Sequence, residues 1–259
     1  MADVLVLCYH AVSDRWPSSL AVTRAQLARQ LELLVRRGYR GATFERAVAA
    51  PPARRTLVVT FDDGYRSVLE HALPILDRLE LPGTVYVPTD FVDSDAPMSW
   101  PGIDHWVGGP HESELVGMSW RELTALRDRG WEIGSHTCAH PRLSQLDDST
   151  LFRELIGSRR ACEARLGACR TLALPYGDGD ARVLAAAADA GYTAVAGLPR
   201  RDAKGVAGWP RVGVYPADRV GRFRVKVARP VRRLRESGLA WPLEAAARAA
   251  HARRRLAER

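Results

Sequence analysis

No apolar run in this chain approaches the ~18–20 residues needed to span a bilayer. The start, Met1-Ala2-Asp3, opens on an acid, and Val4 to Tyr9 is far shorter than a secretory signal core. The expectation is a cytoplasmic protein. Cysteine is scarce: Cys8, Cys138, Cys162 and Cys169 are the full set, and no two have CxxC spacing. Cys162 and Cys169 are seven positions apart. On one continuous helix that is roughly 10 Å, too far for a disulfide, so reduced thiols are expected. No internal repeat is visible. Excess positive charge is missing from most of the chain. Arg200 onward holds 17 of the 38 basic residues and 5 of the 30 acidic ones, which leaves 21 basic against 25 acidic ahead of it. A nucleic-acid binder places its charge on a folded face interleaved with aromatics, so nucleic acid is not an expected partner. A basic tail fits contact with an anionic membrane surface, an acidic partner, or nothing specific.

At 259 residues, 46% hydrophobic and 26% charged, the chain suits one α/β barrel or two small domains. Val4 to Tyr9 reads as a buried strand. Thr23-x-x-Gln26 is a capping box ahead of an apolar stripe at Leu27, Leu31 and Leu34, and Arg36-Arg37-Gly38 closes that helix. Leu57 to Val59, Thr84 to Val87, Trp131 to Gly134, Thr171 to Leu174, Tyr192 to Ala196 and Val212 to Tyr215 read as further strands. Helical spacings lie between them: Val68 to Leu79 with Pro74 as an irregularity, Ser119 to Gly130 from the capping box Ser119-x-x-Glu122, a long helix from Asp147 or Asp148 to Gly167, and Ala181 to Ala190. This alternation predicts a mostly parallel sheet. Pro88 to Gly117 has no such pattern, and a loop that long reads as a rim or lid over a site. Trp241 to Leu256 is expected to form a terminal helix.

The residues able to do chemistry cluster at strand ends: His10, Asp62-Asp63, His136 and Pro175-Tyr176. In parallel barrels that face carries the active site. Adjacent residues on an extended chain point to opposite sides, so Asp62 and Asp63 can hold different jobs in one pocket. Acids at the tip of a buried strand cost desolvation energy unless a cation or a reaction uses them. By itself, Asp62-Asp63-Gly64 also reads as a solvated turn. His136-Thr137-Cys138-Ala139-His140 sets two imidazoles four apart, on one face of a helical turn, where both can meet one ion. Two His and one Asp make a set of three ligands with positions left open for water and substrate, a catalytic rather than a closed structural layout.

Thr60-Phe61-Asp62-Asp63-Gly64-Tyr65, Ser135-His136-Thr137-Cys138-Ala139-His140 and Leu172-Ala173-Leu174-Pro175-Tyr176-Gly177 resemble the first three motifs of the polysaccharide deacetylases, the NodB-homology carbohydrate esterases. The resemblance covers roughly residues 4 to 215. It implies a distorted (β/α)7 barrel and metal-dependent hydrolysis of N-acetyl, sometimes O-acetyl, groups on sugars. It implies Asp62 as general base, and Asp63, His136 and His140 as metal ligands. Tyr176 would lend its backbone N–H to the oxyanion, and its ring would wall the groove after Pro175.

Two departures stand out. The family's third motif often carries Arg two residues before its Pro, where this chain has Ala173. The family's late motifs, an Asp-Trp and a Leu-x-His, are absent, and after Tyr176 the only histidine is His251 in the basic tail. His10 supplies an answer. Tyr9-His10 resembles the N-terminal Tyr-His motif of a circularly permuted branch of the family, in which the acid histidine comes early. First and last strands of a barrel are neighbours, so permutation preserves the site. His10 is therefore expected to be the general acid. Arg211 is expected to orient Asp62 in place of the missing motif arginine. Tyr9, Pro175, Tyr176 and Arg211 are expected beside the substrate.

The expected protein has a catalytic domain over residues 1–220 and a basic, partly helical extension over 221–259. Its expected cofactor is a divalent metal, zinc first, with cobalt, nickel and iron acceptable to the same ligands. Its expected substrate is an N-acetylated sugar, glycan or lipid-linked sugar, and the tail is expected to contact the inner membrane face. Two other readings stay open: the same site acting on a non-sugar amide or cyclic imide, and a carbohydrate-binding pseudoenzyme.

Overall fold

A computed structural model describes residues 3–50, 54–198 and 208–236. Its frame is a set of parallel strands: β1 (Asp3–Tyr9), β2 (Arg55–Phe61), β3 (Gly83–Val87), β4 (Glu132–Ser135), β5 (Thr171–Ala173), β6 (Ala194–Gly197), and β7, a broken strand made of Trp209–Pro210 and Val212–Gly213. Their spatial order follows the sequence from β2 to β6, with β1 on the far side of β2. β7 joins the two edges. Trp209 and Pro210 pair with Ala196 and Gly197 of β6, whereas Val212 and Gly213 pair with Leu7 and Cys8 of β1. The mostly parallel sheet predicted by the alternation thereby curls into the (β/α)7 barrel that the resemblance implied, and Arg211 is the residue at the seam.

Strand periodicity divides the core in two. Val6, Val58, Tyr86, Ala173 and Ala196 fill the barrel with Phe44. Leu5, Leu7, Tyr9, Leu57, Val59, Phe61 and Val85 face outward against the helices. Those helices are α1 (Arg24–Arg36), α2 (Phe44–Ala49), α3 (Leu73–Arg78), α4 (Trp120–Asp128), α5 (Asp148–Leu166) and α6 (Ala181–Asp189). The capping boxes mark their starts: Thr23 accepts from the Gln26 N–H, and Ser119 and Glu122 cap each other reciprocally. The single helix expected over 68–79 is two pieces, a π-helical turn at Val68–Ala72 and then α3. Pro74 has no N–H to give and its ring crowds the carbonyl four residues back, which widens that turn.

All four cysteines are free. The separation expected between Cys162 and Cys169 on one continuous helix does not hold. Gly167 ends α5 in the left-handed region (φ 82°) and the chain doubles back. Cys169 thereby reaches the Cys162 thiol and, together with burial, pushes its pKa up.

After β7 come α7 (Val220–Lys226) and α8 (Arg229–Glu236). Phe223 and Val227 are buried. Lys226 Nζ donates to Asp218 Oδ2 at 2.6 Å, and the Arg232 guanidinium donates to both oxygens of Asp3 at 2.7 and 2.6 Å. The basic extension expected from residue 221 thus begins as two helices seated on the barrel. Residues 237–259, with the expected helix from Trp241 to Leu256 and His251, lie outside the described residues. Among the described residues no helix is long and apolar enough to cross a membrane.

Candidate active site

β2 ends in a sharp reversal. Asp63 and Gly64 both have positive φ, 69° and 67°. A Cβ on Gly64 would lie 2.9 Å from Val87 Cγ1, so glycine answers both the conformation and the close approach. The turn sends Asp62 and Asp63 to different neighbours.

Asp62 belongs to the inside of the barrel. Arg211 Nη1 donates to its Oδ1 at 2.6 Å and Nη2 to its Oδ2 at 2.8 Å, a two-pronged pair in which the Arg211 side chain is wholly buried. Nη1 also donates to Thr60 Oγ1 at 3.0 Å, and the guanidinium lies 5.5 Å from the Tyr86 ring centre. The Cys8 thiol donates to Asp62 Oδ2 at 3.3 Å. Burial raises the Asp62 carboxyl, but Arg211 and the nearby imidazoles outweigh it and hold it below the usual range. The Cys8 thiol is pushed well up, chiefly by burial.

Asp63 faces the two histidines. Its Oδ1 lies 3.4 Å from His136 Nε2 and 3.3 Å from His140 Nε2, with all three side chains buried. That oxygen has no hydrogen-bond partner among the described residues. The His136 ring is fixed from behind, its Nδ1 bonded to the Ala173 carbonyl at 2.8 Å, which aims Nε2 at Asp63. His140 lies between two aromatic rings: Trp100 stacked at 4.2 Å and Tyr176 edge-on at 4.6 Å.

The two imidazoles do not meet on a helical turn, as the H-x3-H spacing suggested. Residues 136–140 form a loop in which Thr137 and His140 have φ of 69° and 60°. α5 holds it: Glu154 Oε2 accepts from the backbone N–H groups of Cys138 and Ala139 at 2.9 and 3.0 Å. Ser135 Oγ, bonded to Ser158 Oγ at 2.8 Å, accepts from the Thr137 N–H at 3.1 Å. The Cys138 thiol turns back toward α5, 3.5 Å from the Glu154 carbonyl, and stays out of the ligand set.

His10 ends β1 at the mouth, half-buried. One of its ring nitrogens, the Cys8 sulfur and an Asp62 oxygen all lie within 4.8 Å of one another. Both Asp62 oxygens already hold Arg211, so a cation is better suited to the trio of Asp63, His136 and His140. Pro175 is buried and leads into Tyr176, which has a left-handed backbone (φ 57°) and a half-buried ring. The Tyr176 hydroxyl donates to the Pro101 carbonyl at 3.3 Å. The long segment after β3 therefore does form a rim, reaching the site through Trp100 and Pro101.

Six of the residues named from the sequence thus converge: Asp62, Asp63, His136, His140, His10 and Arg211, with Tyr176 at the rim. Tyr9 is a correction. It was expected beside the substrate, yet its side chain is fully buried on the outer face of β1, stacked on Phe61 at 5.8 Å, with its hydroxyl donating to Gln30 Oε1 at 2.9 Å. Strand alternation explains this, since its neighbours Cys8 and His10 take the inner face. Cys8 was missed, although the same alternation places it with His10. The stacking of Trp100 on His140 had no signal beyond the presence of a tryptophan in the long loop.

Comparison with known proteins bears on the family and the fold. The family model described as Polysaccharide deacetylase matches residues 49–195. A curated relative from Bacillus subtilis (strain 168), YxkH, which carries a polysaccharide deacetylase name, is 24% identical over 225 residues, 83% of this chain and 72% of that protein. Among solved structures, the Streptococcus pyogenes deacetylase PplD, in complex with acetate, superposes with a TM-score of 0.71 at 20% identity, over 87% of this chain and 98% of that one. IcaB from Ammonifex degensii gives 0.69 at 25% identity over 88% and 98%. The structural likeness establishes the barrel, the matched family model spans more than half of the chain, and the protein belongs to the polysaccharide deacetylase family.

Proposed function

We propose that this protein removes acetyl groups, N-acetyl in the first instance, from an acetylated sugar chain or its precursor, with a divalent metal held by Asp63, His136 and His140. The observation that carries the reading is Asp63 Oδ1: a buried, charged oxygen without a hydrogen-bond partner, facing two imidazole nitrogens at 3.3 and 3.4 Å. Such an atom is costly unless a cation shares it. Two nitrogens and one oxygen suit zinc best, with cobalt, nickel and iron also compatible. A divalent ion there would supply Lewis acidity toward the acetyl carbonyl and acidify water.

The remaining chemistry is assigned to the chain itself. Asp62 accepts the proton of the attacking water. Its depressed pKa keeps it ionised and ready to do so, and Arg211 fixes both its oxygens. His10, on the neighbouring strand and half-open to solvent, donates a proton to the departing amine nitrogen. The N–H of Tyr176 is assigned to the developing oxyanion, where one such donor is worth about 3–4 kcal/mol. Pro175 and the left-handed Tyr176 backbone set that group's direction.

The test combines metal analysis with acetate release from N-acetylated oligosaccharides, for wild type, Asp62→Asn and Asp63→Asn. The reading expects bound metal in the first two only, and release in the first only. Protein purified without metal and unable to take it up would defeat it.

The basic C-terminal segment is proposed to touch an anionic membrane surface, as part of handling a lipid-linked or other precursor substrate at the cytoplasmic face. Arg222, whose Nε lies 3.0 Å from Asp218 Oδ1, and Arg224 are exposed on α7 just before Val225, itself 62% exposed. Vesicle sedimentation of an Arg222→Glu/Arg224→Glu variant decides this, because unchanged binding to anionic vesicles would remove the contact.

A further inference from the structure

The outer rim of the site carries a cation that the proposed reaction does not use. Arg142 lies two residues beyond His140, separated from it by Pro141. Its guanidinium lies 4.3 Å from the centre of the Tyr176 ring. It is exposed, and among the described residues no carboxylate pairs with it. Asp104 is near enough to act electrostatically on Tyr176, but it is not an ion-pair partner of Arg142.

Arg142 is also held in register with the site. The segment after it is tied to the loop after Tyr176: Ser144 N–H donates to Asp178 Oδ2 at 2.8 Å, and Ser144 Oγ bonds the same carboxylate. Arg182 Nη2 closes the arrangement on the Ser144 carbonyl at 3.3 Å. Guanidinium and aromatic ring therefore ride on two strand-end loops clamped together. A stacked guanidinium keeps its N–H edge free, and that edge matches the two oxygens of a carboxylate or phosphate.

From this placement we infer that Arg142 is a specificity residue that binds an anionic substituent, a carboxylate or a phosphate, on the sugar next to the one being deacetylated. The inference rests on the deacetylase reading above and narrows its substrate to an acidic glycan. It fits the exposure of Arg142: the group it binds lies outside the catalytic pocket, on a chain that continues past the mouth.

The experiment compares three probes: a neutral N-acetylglucosamine tetramer, a tetramer alternating with carboxylate-bearing N-acetylmuramic acid, and an N-acetylglucosamine oligomer bearing a phosphodiester. Calorimetric binding and acetate release are read separately, at low and high salt, for wild type, Arg142→Gln and Arg142→Glu. Arg160→Gln, on the exposed face of α5, is the control for general charge. The quantity is the ratio of anionic to neutral affinity, so a fall in overall rate from a loosened Tyr176 does not enter. Wild type should favour at least one anionic probe by about fivefold, the scale of a solvent-exposed ion pair, and less at high salt. The ratio should fall to about one in Arg142→Gln, invert in Arg142→Glu and hold in Arg160→Gln. A preference for only one probe names the source of the anion, carboxylate or phosphodiester. A ratio of one in wild type, or one that survives both Arg142 variants, overturns the inference. Acetate released equally from all three probes defeats the arginine's role and leaves deacetylation standing. Arginine-dependent binding with no release from any probe does the reverse.

Discussion

Replacing Arg211 with alanine should be the most damaging single change outside the proposed metal ligands. The side chain is wholly buried, and both terminal nitrogens are spent on Asp62, at 2.6 and 2.8 Å. Its loss leaves a charged carboxylate in the barrel interior with only the Cys8 thiol, at 3.3 Å, in its place. Breaking one side of a buried pair costs about 3–5 kcal/mol, out of a total stability on the order of 5–15 kcal/mol. At this chain length about 1 kcal/mol shifts Tm by roughly 2–4 °C, so a fall near 10 °C is expected. Catalysis should suffer separately, because a base that is no longer aimed loses about 10²–10⁴ in rate. Arg211→Lys should restore part of the stability but little of the rate, since an ammonium cannot grip both oxygens.

The assay is a double-mutant cycle on Asp62→Asn and Arg211→Met, followed by urea unfolding and by acetate release. If the two groups exist for each other, the double variant is less destabilised than the sum of the singles by about 1–3 kcal/mol. Additive effects, or an Arg211→Ala protein melting within about 2 °C of wild type with activity intact, would refute the account of the barrel seam.

Three further outcomes follow from the same geometry. His10→Ala should lower kcat by about 10²-fold or more with KM little changed and Tm unaffected; a loss confined to KM would make His10 a binding residue. Asp63→Asn should reduce bound divalent metal to about a tenth of the wild-type amount or less, read by elemental analysis, whereas metal retained at full level would remove Asp63 from the ligand set. Asp3→Asn tests the seat of α8. Burial pulls the Asp3 carboxyl up, but hydrogen bonds from Arg232 and Tyr39 outweigh it and hold it below the usual range. A depressed carboxyl contributes stability above its unfolded value of about 3.9 and loses it as pH falls through the folded value. Wild type should exceed Asp3→Asn by about 1 kcal/mol at neutral pH, after allowance for partial exposure, and the gap should close in acid. A gap that persists at about pH 2 would show that the carboxylate charge is not what matters.

Much of this was legible because the decisive residues lie at the ends of strands that announce themselves. Leu57 to Val59 fixes where Asp62 and Asp63 emerge, and Ser119-x-x-Glu122 fixes the helix before His136. Periodicity also carried information that went unused. Alternation along β1 puts Cys8 and His10 inside and Tyr9 outside, which separates the Asp62 contact from the wall residue. What could not be read is where backbone conformation overrides spacing. The histidine loop works through left-handed Thr137 and His140, pinned by Glu154 from α5, and an i, i+4 count has no access to that. Cys169 returns to Cys162 because of one left-handed glycine. The stacking of Trp100 on His140 depends on the path of a long irregular segment, which is decided by tertiary packing.

Strand order also explains how His10, the proposed acid, can stand so far from the rest of the site in sequence. The matched family region, 49–195, carries β2 to β5 and the first two residues of β6, and with them Asp62, Asp63, His136, His140 and Tyr176. Neither His10 nor Arg211 falls inside it. His10 follows β1 and Arg211 sits at the break in β7, the two strands that complete the barrel, and those strands pair directly, Leu7 with Val212 and Cys8 with Gly213. β1 also pairs with β2 along its whole length, ending at Tyr9 opposite Phe61, so the chain delivers His10 beside Asp62 from one direction. β7 delivers Arg211 to the same carboxylate from within the barrel. Two residues far apart in the sequence and outside the matched region are therefore brought to one carboxylate by strand pairing. Ala173 fits the same logic. Ala173 on β5 belongs to the same interior cluster as Tyr86, whose ring centre lies 5.5 Å from the Arg211 guanidinium, so the barrel interior holds an arginine from β7 and a small residue at the third-motif position.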